Sequence, residues 1–256
     1  HGILGHTIEI PEGNQESYKA GYYAVLGGLD YLAQNPEKLM EMRLNFYLRG
    51  LNKVEDPKAE NELVGPDGQV VGRIKKGQEK FFPDYYVIPM GVDKDNDTQE
   101  AFNMIDYFKR NGVLVKELKE DSGNYKKGDL VVDIAQAKRG YANHVLYKGS
   151  NESKWAAMYA ELVVNFPDMK GFKAQPVFGD KLFEGKLGEV TALRAARTSQ
   201  VDQKAPYYVI ANTSESAVKA VNKALAEGKK VYLTDDGYIV DTPTFTSLLD
   251  RYAIYG

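Results

Sequence analysis

Residues 85–90 read YYVIPM, and residues 207–212 read YYVIAN. Each is a continuous apolar run of aromatic and β-branched side chains with no polar face, which predicts a strand buried on both sides. A helix pattern follows each run. After YYVIPM, Asp97-Thr98-Gln99-Glu100 forms a capping-box-like start. Ala101, Met104, Ile105 and Phe108 recur at helical spacing, Asn111-Gly112 stops the helix, and VLVKEL (113–118) resumes strand. After YYVIAN, Asn212 and Glu215 suit a cap, and Ala217, Val218, Val221 and Leu225 make the helix face. Gly228 then ends the helix and KVYLT (230–234) is strand. Two strand–helix–strand units are expected, each with parallel strands joined by a right-handed crossover. The shared Tyr-Tyr-Val-Ile is too short to establish a repeat and reads as a common demand of buried parallel strands.

Between the units lie strand-like DLVVDIA (129–135), a helix with Trp155, Met158, Tyr159, Leu162 and Phe166 on one side, and strand-like EVTALRA (189–195). Thr242-Pro243 caps a last helix over 243–253. The alternation predicts an α/β region over 81–256, with a mostly parallel layered sheet and helices on both faces. Residues 51–80 are polar, rich in Gly and charge, and carry the Pro66-Asp67-Gly68 turn, so they read as a linker.

Ahead of the linker, Gly2 to Ile10 alternates like a strand, and Pro11 stops it. Tyr18, Tyr22, Val25, Leu29 and Leu32 predict a helix over 15–34, in which Gly27 and Gly28 would let the backbone approach a sheet closely. Asn35-Pro36-Glu37 starts a second helix carrying Leu39, Met42, Phe46 and Arg49, and Gly50 ends it. Residues 1–50 are thus a strand and two closing helices.

Composition narrows the chemistry. The net charge of −3 is wrong for a nucleic-acid binder. With no cysteine, disulfides, thiolate metal sites and cysteine nucleophiles are excluded. No apolar run approaches a membrane span. Gly-x-Ser-x-Gly, Gly-x-Gly-x-x-Gly and Walker-type loops do not occur. The Asp93-Lys94-Asp95-Asn96-Asp97 run fails as an EF-hand, because Thr98 and Met104 stand where Gly and Glu are needed. It reads as a solvated turn leading into a cap. QAKRGYANH (136–144) gathers Arg139, Tyr141 and His144 after a strand, where loops of α/β domains face ligands. Arg139 and His144 are therefore candidate ligand-binding residues for a carboxylate; bracing the region before the linker is the equal alternative, and an ordinary polar loop weighs as much as the two together.

GHTIEIPE (5–12), followed by a Tyr- and Leu-lined helix, resembles the end of the catalytic domain of zinc metallocarboxypeptidases of the carboxypeptidase A type. In that family a late strand carries a glutamate in a Thr-hydrophobic-Glu-hydrophobic setting, which Thr7-Ile8-Glu9-Ile10 matches. The resemblance implies that Glu9 is the general base acting on a zinc-bound water. YYVIPM, AFNMIDYFKRNGV and DIAQAKRGYANHVLYKG resemble the accessory C-terminal region of exported bacterial carboxypeptidase-like proteins. The layered region also resembles glutamine amidotransferase domains in architecture, although their nucleophilic cysteine has no counterpart here.

The chain departs from the family at the metal. His1, His6 and His144 are its only histidines. The single His-x-x-Glu spacing, His6-Thr7-Ile8-Glu9, lies within the matched strand itself, where alternation sends His6 and Glu9 to opposite faces, whereas the family's pair and its later His precede that strand. The resemblance therefore implies the C-terminal part of a longer enzyme, with zinc held by an upstream catalytic domain of the same protein and no metal ligand in this chain. It implies hydrolysis of C-terminal residues of peptides or peptidoglycan stems, an extracellular or cell-envelope location, and inactivity of this piece alone. The alternative expectation is a non-catalytic α/β ligand-binding or scaffolding module.

Overall fold

The computed structural model describes residues 5, 8–10, 12–55, 80–91, 95–148, 165–190, 205–249 and 251–256. The expected strand with Thr7 and His6, the Pro66-Asp67-Gly68 turn, the Trp155 helix and most of EVTALRA lie outside these residues.

Helix α1 runs Gln15–Gln34 and α2 runs Pro36–Leu51. Asn14 caps α1 by accepting from Ser17 N. Asn35 caps backwards: its side-chain amide donates to Tyr31 O at the end of α1 rather than to α2. Gly50 does not end α2. It lies one residue inside it, for a packing reason given below.

Five strands form the first sheet: β1 (Tyr85–Ile88), β2 (Lys116–Leu118), β3 (Leu130–Asp133), β4 (Gln175–Val177) and β5 (Leu187–Gly188). Helix α3 (Thr98–Arg110) joins β1 to β2, α4 (Arg139–Leu146) follows β3, and the short α5 spans Phe166–Lys170. The strand order is β4-β1-β3-β2-β5, and every pairing is antiparallel. The expectation of a mostly parallel sheet is corrected here. β1 and β2 do run in the same direction, but β3 turns back from β2 and inserts between them. The expected crossover unit is therefore present but split.

β1 is buried on both sides, as its apolar run predicts. Tyr86 and Ile88 join Leu130 and Val132 under α3 and α4, against Met104, Phe108, Val145 and Leu146. Tyr85, Val87 and Val131 face the other way and meet Leu118, Val177 and Phe183. Among the described residues, helices cover only the first of these faces. The second is closed by a strap, residues 178–186, which leaves β4 at the β1 edge, crosses the sheet and becomes β5 at the β2 edge. Phe183 in the strap stands edge-on to Tyr85, with ring centroids 5.0 Å apart. Among the described residues the expectation of helices on both faces is not met.

The second sheet contains β6 (Tyr207–Ala211), β7 (Tyr232–Thr234) and β8 (Gly237–Asp241), in the order β6-β8-β7 and again antiparallel. Helix α6 (Glu215–Ala226) joins β6 to β7, and α7 (Thr242–Leu249) follows β8. The caps differ slightly from expectation. Ser214, not Asn212, accepts from Ala217 N, and Asp241 accepts from Thr244 N.

The two units have one plan: strand, helix, strand, inserted strand, helix. Their registers coincide. Tyr85 faces Asp133, Tyr86 faces Val132 and Val87 faces Val131; Tyr207 faces Asp241, Tyr208 faces Val240 and Val209 faces Ile239. The connecting helices end alike, with Gly112 and Gly228 both at φ 73°. That left-handed value favours glycine. Tyr-Tyr-Val-Ile therefore marks equivalent places in a structural repeat, although β6 is buried only at alternate residues, not on both sides as its apolar run predicts.

The repeats meet where α3 and α6 begin. Asp97 Oδ1 accepts from Gln99 N and Glu100 N, capping α3, while its Oδ2 accepts from Ser216 N in the first turn of α6. One buried carboxylate thus serves two helix N-termini. Beside it, buried Glu100 pairs with Lys170 at 3.0 Å and Lys219 at 3.7 Å, and Lys219 also holds Glu215 at 2.7 Å. Asn96 is buried too, donating to Pro89 O and accepting from Lys173 N. This segment caps a helix as expected, but at these positions it is packed rather than solvated.

Candidate functional site

A set of polar side chains joins the end of α2 to the first sheet. Its geometry starts from Gly50. A Cβ at that position would lie 2.4 Å from Gln136 O and 3.4 Å from Ala137 O. Only a glycine lets α2 seat against the segment leading into α4. Gln136 fixes that segment, since its side chain accepts from Leu114 N at 2.8 Å and donates to Leu114 O and Asp133 O. On the α4 side, a Cβ at Gly140 would touch the Phe46 ring at 3.3 Å.

Arg139 opens α4 and is buried. Its guanidinium donates to Val54 O and to Glu55 Oε1, the latter at 3.3 Å, and stacks over the Phe82 ring at 4.1 Å from the centroid. The Arg139 side chain therefore does bind a carboxylate, and that carboxylate is the chain's own. A cavity of about 200 Å³ remains beside it, lined by Phe46, Arg49, Val54, Phe82 and Arg139. A second ionic group lies next to it. Lys53, held at a left-handed φ of 51°, reaches Asp180 at 2.7 Å and Asp84 at 3.9 Å, and Lys80 reaches Asp84 at 3.5 Å. Asp84 is buried and also accepts from Gly179 N at 2.9 Å, which anchors the strap. The hydrogen bond to Asp180 raises the Lys53 pKa, and the same bond lowers that of Asp180.

The structure separates the two ligand candidates. QAKRGYANH is mostly helix α4, not a loop, and the antiparallel sheet provides no crevice of the expected kind. His144 lies five residues after Arg139 in that helix, half-buried and on a different side. Tyr141 meets Tyr107 hydroxyl to hydroxyl, and burial pushes its pKa up to about 12. Glu9 is exposed, and Ile8–Ile10 belong to no strand. A strand needs a neighbour to satisfy its backbone, and among the described residues none pairs with it. Ile10 instead packs on α1, where its Cδ1 would lie 2.9 Å from a Cβ at Gly21. Among the described residues no group of three His, Cys, Asp or Glu is placed to hold a metal.

Glu55, Asp84 and Asp180 were not legible as partners of this site. Their one signal is Asp84, a charge immediately before a run that must be buried. No family model, curated protein or solved structure matches the chain.

Proposed function

We propose that this chain is the closing part of a zinc-carboxypeptidase-like hydrolase, latched to a two-repeat accessory region. One observation supports the reading best: α1 carries an apolar stripe but buries no residue. Tyr18, Tyr22, Tyr23, Val25, Leu26, Leu29 and Leu32 are all exposed, as are Met42 and Leu44 on α2. An amphipathic helix gains its stability by covering that face, so α1 belongs to a body larger than the described residues. In this reading Glu9 supplies a carboxylate proton acceptor. Arg139, Lys53 and Asp84 fix how the accessory region sits against α2. The substrate is the C-terminal residue of a peptide or peptidoglycan stem, in the cell envelope or outside the cell. The described residues do not fit a zinc site, so no ligand role for zinc is assigned to any of them.

The test is a pair of preparations. The 256-residue chain alone is expected to bind no stoichiometric zinc and to release no C-terminal residue from a peptide. The complete reading frame is expected to do both, and Glu9→Gln in it should lower turnover by about 10²–10⁴ with zinc content unchanged. Hydrolysis by the short chain, or an active complete protein indifferent to Glu9→Gln, overturns the reading.

A further inference from the structure

The repeat exposes an inequality between its two halves. On the first sheet, the face away from the helices is closed: Tyr85 is 5%, Val87 1% and Val131 0% exposed. On the second sheet, the register-equivalent Tyr207 and Val209 are 62% and 41% exposed. Tyr232, which stands opposite Ile239 as Lys116 stands opposite Val131, is 57% exposed. The edges differ in the same way. β4 and β5 flank the first sheet, whereas among the described residues no strand flanks β6 or β7. Among the described residues, the outer edge of β6 is engaged at its last residue, where Ala211 N donates to Tyr255 O.

The first repeat shows what such a face takes. Residues 175–188, QPVFGDKLFEGKLG, pair with one edge, lay Phe183 on Tyr85 and pair with the other edge. We propose that the open face of β6-β8-β7 is a docking site for an extended segment of a partner polypeptide. That segment carries an aromatic residue between aliphatic ones, and docks by strand addition at the β6 or β7 edge with its ring on Tyr207. Exposed edges supply main-chain donors and acceptors, and the apolar face supplies the side-chain pocket. A contiguous exposed apolar face on one side of a sheet is the usual mark of such a site. The inference does not depend on Glu9.

The probe is a synthetic peptide with the sequence of residues 175–188, titrated into the whole isotope-labelled chain and followed by amide NMR shifts. Saturable shifts confined to β6, β7 and β8 are expected. Replacing the peptide's phenylalanine at the Phe183 position by alanine should weaken binding by about tenfold or more. Val209→Glu in the chain should abolish binding without changing the thermal midpoint, since Val209 is exposed. Four outcomes overturn the proposal: no shift at about 1 mM peptide, shifts on β1 and β3 instead, binding indifferent to the aromatic residue, or self-association that Val209→Glu abolishes. The last would mean that a second copy covers the face.

Discussion

Replacing Arg139 by methionine separates a brace from a ligand site. Methionine keeps the length of the side chain but removes the guanidinium that donates to Val54 O and Glu55 Oε1 and stacks on Phe82. Hydrogen bonds to charged groups contribute about 1.5–3 kcal/mol, and a partly desolvated stacked cation about 1 kcal/mol. The Arg139 side chain is 7% exposed and Glu55 is 22% exposed, so water recovers only part of the loss. About 3 kcal/mol should remain against the docking of the end of α2. At 1.4 kcal/mol per factor of ten, that is about a hundredfold in the opening equilibrium. Amide exchange of residues 46–55 should therefore quicken by about two orders of magnitude, while β6 to β8 exchange as before. Arg139→Lys should fall between, because an ammonium cannot hold both acceptors in one plane. Unchanged exchange in Arg139→Met would refute the brace and return Arg139 to the pool of external ligand residues.

Gly50→Ala should destabilise the same junction by about 1–3 kcal/mol, because its Cβ meets a backbone oxygen, read as a lower urea midpoint. Gly28→Ala meets nothing within 4 Å and should stabilise α1 by up to about 1 kcal/mol, read by circular dichroism. Asp97→Ala loses a cap and leaves Ser216 N unpaired in a buried place, for a total near 3 kcal/mol and a thermal midpoint lower by roughly 6–12 °C. The repeat seam should also be pH-dependent. The hydrogen bond to Lys219 lowers the Glu215 pKa, so that stabilisation holds above the ordinary carboxylate range and fades as pH falls through the lowered value. Bonding to Glu100 raises the pKa of Lys170, and bonding to Glu215 raises that of Lys219; their share holds below the ordinary lysine value and fades as pH rises through the raised ones. Lys219→Met should therefore lower the midpoint at neutral pH, with the gap closing as pH falls through the lowered Glu215 value.

The local elements were legible where side-chain spacing alone decides them. The stripe of α1, the Asp97 cap and the Asn111-Gly112 stop fall where they were expected. Strand direction is not legible in the apolar runs themselves, which are the same whichever way the neighbour runs. Asp236-Gly237 between KVYLT and YIVD is a hairpin signal, and reading it would have turned the chain back between β6 and β7. The repeat is hidden too, because its halves agree in register far more than in sequence. At the junction, Arg139 stood out as a cation after a strand. Its partners Val54 and Glu55 lie more than 80 residues away, and no local pattern links them. The glycines misled in both directions: Gly50, read as a helix end, is the close contact, and Gly27, read as a close contact, has nothing within 4 Å.

The insertion of β3 between β1 and β2 also bears on how the protein emerges from a ribosome. Synthesis delivers the two strands that flank β3 first, and neither bonds to the other because the place between them is still empty. YYVI therefore waits with both edges unpaired until LVVD has been made. The second repeat imposes the same delay later in translation. Nascent chains stalled just before Leu130 should thus be the form in which chaperones hold this protein longest.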